Sequence, residues 1–174
     1  MKAYERFIKY ARVHTRSSET TGTHPSTATQ FDLANILVAE LKELGLSDAE
    51  VDDKCYVYAT LPPTVGYEDA PAIGFISHLD TSPDFSGEGV KPQITENYDG
   101  SPIALGECGR VLSPETFPHL SKLVGRTLIT SSGDTLLGAD DKAGIAEIMT
   151  LIERITSENI PHGKLCIAFT PDEE

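Results

Sequence analysis

Apolar residues fall at helical spacing at the start of the chain. Tyr4, Phe7, Ile8 and Ala11 recur every three to four positions and predict a helix to about His14. A polar stretch from Thr15 to Thr23 follows, running into Gly22-Thr23-His24-Pro25. The stripe Phe31, Ala34, Leu37 or Val38, Leu41 and Leu44 predicts a second helix. Ser26 or Thr27 is its expected N-cap, and Gly45 its terminator.

Beyond Gly45 the period shortens. Val51 to Leu61, with Tyr56, Val57 and Tyr58, predicts a strand that Pro62-Pro63 stops. Ala72 to Ser77 is a continuous apolar run, which suits a strand buried on both faces of a helix-covered sheet. The Gly/Pro-rich region from Pro83 to about Pro118 reads as a long loop, and long loops in compact domains are often functional. Leu128 to Thr130 predicts a short strand, and Gly133 to Gly138 a turn or hairpin. Ala143 to Ile155 predicts a helix with Ile145, Ile148, Met149, Ile152 and Ile155 on one side, and Lys164 to Thr170 a last buried strand. Strands and helices alternate, so the fold class is α/β.

Composition narrows the class. The 174 residues are 39% hydrophobic and 24% charged, as in one folded domain. The 14 Lys+Arg against 27 Asp+Glu leave a net charge of −13, which argues against nucleic acid and against an anionic membrane surface. No apolar run approaches the ~20 residues of a membrane span, and charge interrupts the first ten residues, so no signal-peptide core is expected. Cys55, Cys108 and Cys166 form no CxxC pair. Three reduced thiols in a cytoplasmic protein are expected, with neither a disulfide framework nor a zinc finger.

Several familiar signatures fail. Gly133 to Gly138 matches the GxxxxG half of a phosphate loop, but Ala139-Asp140 stands where Lys-Ser/Thr is needed. The stretch from Asp84 has Thr95 where a calcium loop needs a bidentate Glu, and Pro92 interrupts it. GxSxG and HExxH are absent.

Three clusters of metal-binding residue types sit at element ends. Ser77-His78-Leu79-Asp80-Thr81 follows an apolar strand, and residues two apart in extended chain face the same side, so His78 and Asp80 point together. A carboxylate beside an imidazole fixes its tautomer and raises its basicity. Gly138-Ala139-Asp140-Asp141-Lys142-Ala143-Gly144 precedes a helix. One aspartate suffices for capping, so the adjacent second one raises the metal reading. Pro171-Asp172-Glu173-Glu174 follows the last strand, where one Glu can bind metal while its neighbour accepts a proton. Each cluster alone reads more readily as a polar turn, a helix cap or a solvated acidic loop than as a metal site. Together on one sheet edge they would repel without counter-cations.

These three motifs, in this order, resemble the N-terminal site motifs of the dizinc aminoacylase/carboxypeptidase-type metallopeptidase family. The likeness covers essentially the whole chain, and Leu112-Ser113-Pro114-Glu115 and Gly133-Asp134-Thr135 draw it towards the family's tripeptide aminopeptidases. The resemblance implies a mixed, helix-covered sheet of a dizinc exopeptidase-like catalytic domain. It implies two Zn2+ ions, with Co2+ or Mn2+ as alternatives. His78 would bind one, Glu174 the other, and Asp140 would bridge them, while Asp80 orients His78 and Glu173 is the general base. It also implies a cis peptide at Asp140-Asp141. The implied activity is removal of the N-terminal residue from a short peptide substrate, as a homodimer when full length. Alternatives are a related dizinc dipeptidase or carboxypeptidase, an N-acyl amino acid deacylase, or a non-catalytic metal- or peptide-binding fragment. Family members are longer and supply further zinc ligands and a lid domain. Residues 1–174 therefore read as the N-terminal part of a truncated catalytic domain, expected to show little or no activity alone.

Overall fold

Four strands form the sheet that carries the candidate residues. In the computed structural model, which describes residues 1–174, they are β1 (Glu50–Val51), β2 (Val57–Leu61), β3 (Ile73–His78) and β8 (Leu165–Thr170), in the order β1-β2-β8-β3. β1 with β2 and β2 with β8 are antiparallel, whereas β3 runs parallel to β8, placing His78 opposite Thr170. The sheet is mixed, and its two parallel strands both end at the candidate site. Three helices accompany it: α1 (Ala3–Ala11), α2 (Gln30–Glu43) and α3 (Ala139–Ser157).

Period-two alternation builds one buried face. Val57 and Ala59 of β2 and Leu165, Ile167 and Phe169 of β8 point into one core cluster with Leu33, Leu37 and Leu41 of α2 and Ile145, Met149 and Ile152 of α3. The alternate positions do not share that burial: Tyr58 is exposed, and Cys166 and Ala168 are half-buried. β3 corrects an expectation. The apolar run suggested burial on both faces, yet β3 is an edge strand with Ile73 exposed and Ile76 71% exposed. β8 is its one neighbour in the sheet, and α3 is the helix packed against it.

Other elements are shifted or subdivided. The strand expected from Val51 to Leu61 is broken by a turn in which Asp52 Oδ1 accepts the Lys54 and Tyr56 N–H groups, with Cys55 in left-handed backbone at φ 71. Burial, with the charges of Asp172 and Asp52 behind it, pushes the Cys55 thiol up to about 12, and all three cysteines are free. Neither Ser26 nor Thr27 caps α2: its N-cap is Thr29, and the two hydroxyls are engaged with Asp172 and the Arg16 carbonyl. Gly45 does end α2, at φ +98. The region read as one long loop holds β4 (Gln93–Thr95), β5 (Ile103–Leu105) and β6 (Arg110–Leu112), followed by a 3-10 helix (Pro118–Leu123). β7 (Leu128–Thr130) pairs with β4 outside the main sheet, and β5 pairs with β6. β4, β5 and β6, of three residues each, give too short a pattern for period-two alternation to be read, whereas β7 lies where the sequence predicts a short strand.

A buried ionic network ties α1 to the other helices. Arg6 donates to Glu40 of α2 at 2.5 Å and to Glu153 of α3 at 3.0 Å, while the buried Tyr10 hydroxyl donates to Glu40 at 2.7 Å. Removing one partner of such a group strands the others in low dielectric. Glu40→Ala should therefore cost about 3 kcal/mol of stability, read from the midpoint of urea unfolding. A loss under about 0.5 kcal/mol, the size of an ordinary exposed pair, would contradict this role.

Candidate metal centre

The end of β3 delivers His78 with its ring almost buried. Leu79 continues the ladder by donating to the Thr170 carbonyl at 2.7 Å, so Asp80 keeps the strand's direction. His78 Nδ1 lies 3.3 Å from Asp80 Oδ1 and 3.1 Å from the Asp80 carbonyl oxygen. Two acceptors at Nδ1 favour the tautomer that carries its proton there, leaving Nε2 to face outward. Nε2 lies 3.0 Å from Asp140 Oδ1 and 3.8 Å from Glu173 Oε2.

Asp80 is wholly buried and joins the two strand ends. Its Oδ1 accepts the Glu173 N–H at 3.0 Å and its Oδ2 the Glu174 N–H at 3.1 Å. Burial works to raise its pKa, but the hydrogen bonds from His78, Glu173 and Glu174 outweigh that and hold the carboxyl below the usual carboxylate range.

The two adjacent aspartates divide the work at the start of α3. Both have non-helical backbone, and the peptide between them is cis. Asp141 turns inward: its Oδ1 accepts the Gly144 N–H at 3.1 Å, and its carboxylate also accepts the Ser77 hydroxyl. It performs the capping that one aspartate can satisfy. A β-carbon on Gly144 would overlap both the Asp141 carboxylate and the Ser77 hydroxyl, so glycine is required at that close approach. Asp140 takes no part in the capping; its side chain is 86% exposed and meets His78 Nε2.

One imidazole nitrogen and two carboxylate oxygens, from His78, Asp140 and Glu174, lie within 4.8 Å of one another. The electrostatics of the place favour added positive charge. His78 is pushed up to about 9: burial opposes this, but hydrogen bonds to Asp80 and Asp140 and nearby carboxylate charge win. Glu174 is raised by burial and by the negative Asp140, Asp80 and Glu173, against the pull of His78. Nitrogen and oxygen donors in such an acid-rich cluster suit a divalent cation such as zinc. Glu173 stands beside the trio, its side chain 64% exposed. All five residues singled out from the sequence thus meet at one end of the sheet. A cleft of about 550 Å3 lies elsewhere, lined by His14, Arg16, Glu19, Thr27 and Asp84 among others, and contains none of them.

A sixth residue, Lys142, was missed by the motif reading. It is 1% exposed, donates to the Val13 carbonyl at 2.7 Å, and burial lowers it to about 8 against the opposing charge of Asp80. Its signal was present: Lys142, Ile145, Met149 and Ile152 fall on one helical stripe, so a lysine occupied a core position.

Peptidase T of Desulfitobacterium hafniense is 58% identical to this chain over 172 residues, 98% of its length. By sequence, the chain is homologous to peptidase T. It spans 42% of that relative's length. No family model matches the chain. Among solved structures, aminopeptidase PepT from Bacillus cereus superposes with a TM-score of 0.66 at 25% identity, covering 99% of this chain and 36% of that one. A tripeptidase from Staphylococcus aureus gives 0.67 at 23% identity over 99% of this chain and 36% of the other, a likeness of fold. The expected mixed α/β fold is therefore shared with peptidase T-type enzymes. No helix is long and apolar enough to cross a membrane.

Proposed function

We propose that this polypeptide belongs to a metal-dependent aminopeptidase that removes the N-terminal residue from tripeptides. The convergence of His78, Asp140 and Glu174 beside the free carboxylate of Glu173 carries the reading. The 58% identity to a peptidase T supports the substrate class. Residues 1–174 then form the N-terminal, metal-binding part of a longer catalytic unit, in keeping with the 42% span.

Two divalent ions, zinc first and Co2+ or Mn2+ as alternatives, would polarise the scissile carbonyl and acidify the attacking water. His78, through Nε2, would hold one ion and Glu174 the other, with Asp140 available to both, since the three donor atoms lie within 4.8 Å of one another. Asp80 keeps the His78 proton on Nδ1, so that Nε2 stays free to bind. Glu173 takes a proton from the attacking water on a carboxylate oxygen and passes it to the departing amine. Its mobility is limited at the backbone, where its N–H is held by Asp80.

The test is a side-by-side assay of the full-length protein, purified with zinc, on free tripeptides and on N-acetyl amino acids. Turnover of tripeptides with release of the N-terminal residue is the expected result. Preference for the acylated substrates would assign it to deacylation instead, and turnover of neither would refute the enzymatic reading.

A further inference from the structure

Asp172 has no part in the chemistry above, yet it is the most heavily bonded carboxylate near it. It occupies left-handed backbone at φ +53, a conformation in which Asp and Asn are the best-tolerated residues after glycine. Its side chain is 18% exposed. One oxygen accepts the Ser26 hydroxyl at 2.6 Å and the Gln30 amide at 2.7 Å. The other accepts the Ser26 N–H at 2.8 Å and faces His24 Nδ1 at 2.9 Å. The Asp172 N–H returns a bond to Gln30 Oε1 at 3.3 Å, so the fully buried Gln30 amide both gives to and takes from the same residue.

The consequence lies in the next two residues. The Glu173 and Glu174 N–H groups end on Asp80, on the β3 side. Asp172 ends on residues 24–30, at the start of α2. Three consecutive residues are therefore gripped from opposite sides, and the direction in which Glu173 and Glu174 leave the chain is fixed by both grips.

We propose that Asp172 is a positioning residue, which, through Ser26 and Gln30, sets the placement of Glu173 as proton acceptor and of Glu174 as metal ligand. The Glu173 half rests on the aminopeptidase assignment; the Glu174 half requires only that a divalent ion binds. Asn keeps the left-handed backbone and the size of the side chain, but turns one acceptor into a donor that must face the Ser26 N–H or the Gln30 amide. Asp172→Asn therefore disturbs the grip without deleting the turn.

The experiment compares full-length wild type with Asp172→Asn for tripeptide kcat and KM, the acid limb of the kcat–pH profile, and zinc affinity by chelator competition. Residues that orient metal ligands typically contribute about 10–100-fold in affinity or activity. A fall of that size in kcat with KM within about threefold, a displaced acid limb, and zinc binding weakened about tenfold or more are expected. A purely structural staple would lower the melting temperature while leaving the acid limb and zinc affinity at wild-type values, and that outcome overturns the inference. If wild type cleaves no tripeptide, the aminopeptidase assignment fails, and zinc affinity alone decides: weakening sustains the positioning role, and unchanged affinity rejects it. If Asp172→Asn does not fold, Gln30→Leu, which removes one anchor, is read by the same measures with smaller shifts in the same direction.

Discussion

Glu173→Gln in the full-length protein should lower kcat on a tripeptide by about 10²–10⁴-fold, the usual contribution of a positioned proton acceptor. KM and zinc content should stay near those of the parent. Glutamine keeps the size of the side chain and the N–H bond to Asp80, which belongs to the backbone. It removes only the capacity to take a proton. Glu173 lies outside the trio of His78, Asp140 and Glu174, so its amide leaves those donors in place. Activity within a few-fold of the parent would strip Glu173 of this role. Loss of zinc alongside activity would move it into the metal-binding set.

Asp80→Ala should be damaging in two separate measurements. The carboxylate is wholly buried and serves His78 Nδ1 and two backbone N–H groups, with the charge of buried Lys142 nearby. Its removal leaves those donors without an acceptor, at a cost of about 3–5 kcal/mol in unfolding free energy. The imidazole also loses the partner that sets its tautomer, so zinc should bind about 10–100-fold more weakly. Calorimetry of the metal-free protein and chelator competition separate the effects. A stable variant with parental zinc affinity would mean that Asp80 neither supports the fold nor orients His78.

The elements that could be read from sequence are those whose pattern runs long enough to repeat. Three helical stripes and the last strand placed α1, α2, α3 and β8 within a few residues of their positions. The Pro83–Pro118 region defeated such reading because its strands have three residues each and pair with one another or with β7, whereas β7 itself, Leu128–Thr130, lies where the sequence places a short strand. β3 misled because an apolar run reports the wish to be covered, not what covers it. At the site, the pairing of His78 with Asp80 followed from period-two geometry, and the split between Asp140 and Asp141 from counting what one cap needs. The anchorage of Asp172 was illegible, because Ser26 and Gln30 stand more than 140 residues away and nothing local marks them.

The single buried carboxylate that receives both the imidazole and the amides after β8 has a further effect on tolerance. A drift of the 83–136 excursion, which carries none of these residues, leaves the two strand ends joined at Asp80, because they share a common rivet. The spacing between cation ligand and proton acceptor is thereby insulated from distant disturbance, so substitutions far from the site should tax stability well before they detune the chemistry.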